Sequence, residues 1–125
     1  MREAVLLVNF KDAKRLREIQ MILMANRVLM KPVKKEEYCQ TIGALAGVEG
    51  EVKTDEVYDG EDLEQEMMIF AGLGNSKLDQ ILHMMRKKGM KRVDYKAVLT
   101  PTNARWKVAD LYNELAKEHK QMHNL

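Results

Sequence analysis

The sequence predicts an α/β domain: two similar β-α-β-α halves that form one four-stranded sheet packed with four helices. Three observations predict it. Strongly apolar runs at residues 5–10 and 67–73 are each followed by an amphipathic helix pattern and a shorter second strand. A proline, Pro32 in the first half and Pro101 in the second, stands at the same station after that second strand. Between the halves lies a stretch of different character, rich in acids and poor in apolar residues. A length of 125 residues suits one domain, divided into halves 1–48 and 67–125 joined by an acidic loop 49–66.

The elements follow in order. Residues 5–10 form an apolar run long enough for a buried strand and too short for a signal peptide's core, and charged helix residues follow where a cleavage site would stand. Asp12 is placed to cap the next helix, in which Leu16, Ile19, Leu23 and Met24 share a face. Val28, Leu29 and Met30 make a second strand that Lys31 and Pro32 are expected to stop. A second helix is expected from Lys34 through Tyr38, Ile42 and Leu45 to Gly47. In the second half, residues 67–73 form the third strand. Gly74 and Asn75 turn the chain, Ser76 caps the third helix, and Leu78, Ile81, Leu82 and Met85 form its apolar stripe up to Gly89. Residues 92–100 alternate as a strand with one buried face, and the last helix is expected to carry Trp106, Ala109, Leu111, Tyr112 and Leu115. Strands one and three are the most apolar, which makes them central and gives the order 2-1-3-4.

Composition narrows the class. With 46% hydrophobic and 32% charged residues the chain can bury a core and stay in solution. No apolar run reaches the ~20 residues of a membrane span, so no membrane partner is expected. The single Cys39 excludes an internal disulfide and fits a reducing, cytoplasmic compartment. Charge is distributed unevenly. Residues 49–66 hold nine acids and one base, so the rest of the chain holds 20 bases and 10 acids, a body of net +10. The acidic segment is expected to be mobile and to screen a basic face. That arrangement admits a nucleic-acid partner. A half-polar edge strand at residues 92–100 also admits a homodimer.

Candidate binding residues cluster at three places. Thr100, Thr102 and Asn103, with Arg105 and Trp106, link a strand end to a helix start, where free amides and the helix dipole favour an anion; an ordinary capped helix with Trp106 in the core accounts for the same residues. Gly72, Gly74, Asn75 and Ser76 occupy the matching turn of the third strand, without the Gly-Lys-Ser/Thr ending of a phosphate loop. Arg86, Lys87, Lys88, Lys91 and Arg92 form a basic patch, which is either a phosphate contact or a helix end whose bases complement its dipole. His119 and His123 have a metal-chelating spacing but no third ligand, so no metal site and no cofactor is expected. No catalytic constellation is visible, which favours a binding or regulatory module over an enzyme.

One stretch resembles a known family. Met68-Ile69-Phe70-Ala71-Gly72-Leu73, then Lys96-Ala97-Val98-Leu99-Thr100-Pro101-Thr102-Asn103 followed by Trp106, and Leu111-Tyr112-Asn113-Glu114-Leu115, look like the bacterial family called domain of unknown function 3783. The resemblance is close between Met68 and Lys117 and implies a small bacterial cytoplasmic protein, with no catalytic residue to carry over. The Lys31-Pro32 pair before a helix also looks like the end of a phosphoacceptor receiver domain. The acids such a domain needs at its strand ends are replaced here by Asn9-Phe10 and Gly72-Leu73.

Overall fold

The computed structural model describes residues 2–123. Four strands, β1 (Ala4–Val8), β2 (Leu29–Val33), β3 (Met67–Ala71) and β4 (Tyr95–Val98), form one sheet in the order β2-β1-β3-β4. The apolar character of β1 and β3 explains their central places: all ten of their residues are buried. Each half pairs its own strands in parallel, β1 with β2 and β3 with β4. The halves meet antiparallel across β1 and β3, with Leu6 opposite Ile69.

Helices α1 (Ala13–Ala25) and α3 (Asn75–Lys87) cover one face of the sheet, where Ile19, Ile22, Leu23, Ile81 and Met85 pack on Val5, Leu7, Met68 and Phe70. Helices α2 (Ile42–Ala46) and α4 (Val108–His123) cover the other, where Ile42, Leu45, Val108, Leu111 and Tyr112 meet Leu6, Val8, Met67 and Ile69. The alternation of strand side chains between two faces divides the core in this way.

Several boundaries differ from those expected. Pro32 does not stop the second strand but lies inside β2, opposite Leu7. An edge strand has only one neighbour, so a residue without an N–H is tolerated there. The helix expected from Lys34 is broken. A 3-10 turn at Lys35–Glu37 is followed by an irregular segment, and α2 restarts at Ile42 with the Thr41 hydroxyl accepting from Ala44 N at 3.1 Å. The carbonyls of Tyr38 and Gln40 in that segment accept from Ala109 N and Val108 N of α4, so they are engaged outside their own helix. Ser76 is not the cap of α3: Gly74 holds that position, without a side-chain bond, and Ser76 sits in the first turn. α4 begins at Val108, beyond Trp106, which is 37% exposed and not in the core. β4 ends at Val98, and Thr100 opens a separate turn.

The acidic segment forms no helix or strand, yet it is fastened along its length. The Gln40 amide donates to Thr54 O at 2.9 Å and its oxygen accepts from Thr54 N at 2.8 Å. Asn9 Nδ2 donates to Leu63 O at 2.7 Å, Lys11 Nζ meets Asp62 at 2.7 Å, and Arg15 meets Glu66 at 2.8 Å. Tyr58 and Leu63 pack against the core on the α2/α4 face. Packing on two sides of the segment explains why acids with few apolar neighbours in sequence still follow a defined path.

Candidate anion-binding site

The basic run is where chain geometry and charge coincide. α3 ends at Lys87, and Gly89 takes a left-handed conformation (φ 73°) that a side chain would strain. The chain then runs without regular structure to Tyr95. Leu82 and Met85 on α3, Met90 and Val93 on the connection, and Lys96 on β4 surround a concavity of about 310 Å³, completed by Arg86, Lys91 and Arg92. Its floor is aliphatic and its rim carries four cations. Arg92 pairs with Asp94, at 3.5 Å.

Lys96 reaches the concavity because β4 alternates. Tyr95, Ala97 and Leu99 pack toward the α2/α4 core, which turns Lys96 to the opposite face. Burial, then the charges of Arg92 and Arg86, hold its ammonium below the usual lysine range, against the pull of Asp94. The cluster therefore gathers three exposed cations around one partly buried lysine.

A second, wider cleft of about 740 Å³ adjoins it and shares Met90, Lys91, Arg92 and Val93. Lys14 and Arg15 of α1 and the acids Asp12, Glu18, Glu64, Glu66 and Asp94 also line this cleft. The last residues of the acidic segment, Glu64, Gln65 and Glu66, thus share a cleft with Lys91 and Arg92 of the basic run. Tyr58 and Leu63 lie against the α2/α4 core, whereas Met85, Met90 and Val93 belong to the α1/α3 core. Of the basic patch, Lys91 and Arg92 line both concavities and Arg86 one, while Lys87 and Lys88 line neither.

The other two clusters have a different character. In the turn at 100–106, Thr100 Oγ1 accepts from Asn103 N at 3.1 Å, Asn103 Oδ1 accepts from Thr100 N at 2.8 Å, and Asn103 Nδ2 donates to Val98 O at 3.0 Å. Thr102 makes no side-chain cap bond, and Arg105 and Trp106 are exposed. Val108 N and Ala109 N of α4 donate to Gln40 O and Tyr38 O, so the chain itself occupies these leading amides. In the turn at 72–76, Gly72 has φ 77°, Gly74 borders open space, and Asn75 and Ser76 are exposed. The two turns do not share any of the concavities described above.

Sequence reasoning flagged the basic run but missed Lys96, Leu82 and Met85 as its partners. The signal was present in the alternation of residues 95–99 and in the α3 stripe, read separately. The His119 and His123 pairing falls partly on a side chain outside the described residues; the His119 ring lies 5.5 Å from that of Tyr95. Among the described residues no group of three His, Cys, Asp or Glu is placed to hold a metal. No described helix is long and apolar enough to cross a membrane.

Residues 66–122 match the model of a family described as Domain of unknown function (DUF3783). Neither a curated protein nor a solved structure matches the chain.

Proposed function

Because residues 66–122 place the second half of the chain in the DUF3783 family, whose description names no activity, we propose from the site alone that the protein is a non-catalytic binding module for a small anion that carries an apolar group. One observation carries this reading: four cations, Arg86, Lys91, Arg92 and Lys96, surround a floor of Leu82, Met85, Met90 and Val93. Cations on a solvated surface spread apart to lower their repulsion. Here the fold gathers them over aliphatic side chains, an arrangement that an amphipathic anion stabilises on both counts. The volume of about 310 Å³ stands at the small end of ligand pockets.

A nucleic-acid partner is the alternative that the basic run favours. Single strands are held by aromatic stacking as well as charge, and the lining here is aliphatic, which supports the smaller ligand. An anion at the turns 72–76 and 100–106 is the other alternative, best retained at the exposed start of α3.

The test is a fluorescence titration with anilinonaphthalene sulfonate, a probe with an aromatic body and one anionic group. Saturable binding at a single site is expected, weakened several-fold by Arg92→Gln and by Lys96→Gln and little changed by Lys87→Gln. Binding that is absent, or indifferent to both of the first two substitutions, contradicts the reading.

A further inference from the structure

We propose that Lys96 is an acylation site, an amine that accepts the acyl group of an acyl phosphate seated in the same concavity. The proposal rests on the reading of this concavity as an anion site and adds a reaction to it.

Placement comes first. Lys96 stands on β4 and lines the concavity beside Leu82, Met85, Met90 and Val93. An acyl phosphate has an apolar end and a phosphate end, and both kinds of surface are present within one small volume. The aliphatic floor takes the acyl chain. Arg86 from α3, and Lys91 and Arg92 from the connection, are the cations that hold the phosphate. Asp94, 3.5 Å from Arg92, is the acid of this connection.

Reactivity follows from the same geometry. A lysine reacts as the free amine, and burial, then the charges of Arg92 and Arg86, hold this ammonium below the usual lysine range, so more of it is free amine at a given pH than of an ordinary lysine. The Nζ lone pair attacks the carbonyl carbon, the C–N bond forms, and the C–O bond to phosphate breaks. Phosphate leaves with the bonding pair, and the proton lost from nitrogen passes to solvent. The product is a neutral amide, so acylation removes one of four mutually repelling charges and weakens the site for the next anion. The modification is thereby a way of closing the site by charge.

The experiment uses the full chain with acetyl phosphate near neutral pH and maps acetylation by mass spectrometry over time. Lys96 is expected to react several-fold faster than Lys87 and Lys88, which are exposed and outside the concavity. Its lead is expected to shrink as pH rises toward the ordinary lysine value of 10.5, where every amine becomes free. Arg92→Gln should slow Lys96 and leave Lys87 and Lys88 unchanged. Acetylation of Lys96 no faster than that of Lys87 and Lys88 overturns the proposal. If that happens while the sulfonate probe still binds in a Lys96-dependent way, acylation fails and the anion site stands. If the probe also fails to bind, both fall.

Discussion

The two strand-helix-strand units of the sheet have the same order and the same parallel pairing, and they differ at one connection. From α1 to β2 the chain needs three residues, 26–28; from α3 to β4 it uses seven, 88–94. The short connection is closed. Asn26 is buried, its Nδ2 donates to Ile22 O at 2.8 Å, and Val28 N donates to Leu23 O at 2.9 Å. The long connection brings Lys91 and Arg92 to the edge of the sheet and leaves space between itself, α3 and β4. The shared architecture gives a packed core in both halves, while the longer connection in one of them leaves a concavity for the proposed ligand.

Core truncation is the strongest way to probe that contrast. Leu23, fully buried beneath the closed connection, should cost about 2–5 kcal/mol on substitution by alanine. Met85, which lines the concavity and is 7% exposed, should cost no more than about 2 kcal/mol on Met85→Ala, because water already has access to the space it leaves. Urea denaturation measures both, and an equal cost would erase the distinction between the two connections.

The seam between the halves comes next. A Cβ on Gly43 would lie 2.7 Å from the backbone oxygen of Ala104, so Gly43→Ala should destabilise by about 1–3 kcal/mol through overpacking. Thermal melting reads this directly. Asn26→Ala removes the donor to a buried carbonyl and should cost about 1 kcal/mol. Lys96→Met, in contrast, removes a partly buried charge from a cationic ring and should leave the melting temperature unchanged or slightly higher, by less than about 1 kcal/mol. A marked loss of stability would mean that Lys96 serves the fold and not a ligand.

The smallest effect concerns acid. Hydrogen bonding from Lys11, at 2.7 Å, holds the Asp62 carboxyl below its usual 3.8. A carboxyl lowered on folding contributes stability above the unfolded value, and this is lost as pH falls through the folded one. Melting temperatures taken between about pH 5 and pH 2 should fall less steeply in Lys11→Met than in the parent.

Strand order was legible because continuous apolar runs report burial directly. The apolar character of residues 5–10 and 67–73 predicted central strands, which the structure has at Ala4–Val8 and Met67–Ala71. The antiparallel meeting of the halves was not legible, since an apolar run reads the same in either direction. The break before α2 was hidden because Tyr38 and Gln40 give their carbonyls to α4, a contact about 70 residues away in sequence. Trp106 was expected in the core as part of a helix, and the paired Thr100 and Asn103 hydrogen bonds form a turn ahead of it instead. The basic run was visible as charge, but its aliphatic floor depends on the packing of α3 against the connection and β4. The defined path of residues 49–66 rests on distant partners such as Asn9, Arg15 and Gln40, which local composition does not reveal.

We propose above that an anion with an apolar group binds at the α3–β4 connection. Amide chemical-shift mapping during a titration with anilinonaphthalene sulfonate tests it residue by residue. Saturating shifts are expected at residues 82–96, including Arg86, Lys91, Arg92 and Lys96, with the closed connection at 26–28 undisturbed. Shifts concentrated instead at the turns 72–76 and 100–106, or spread evenly over the exposed lysines, would contradict it.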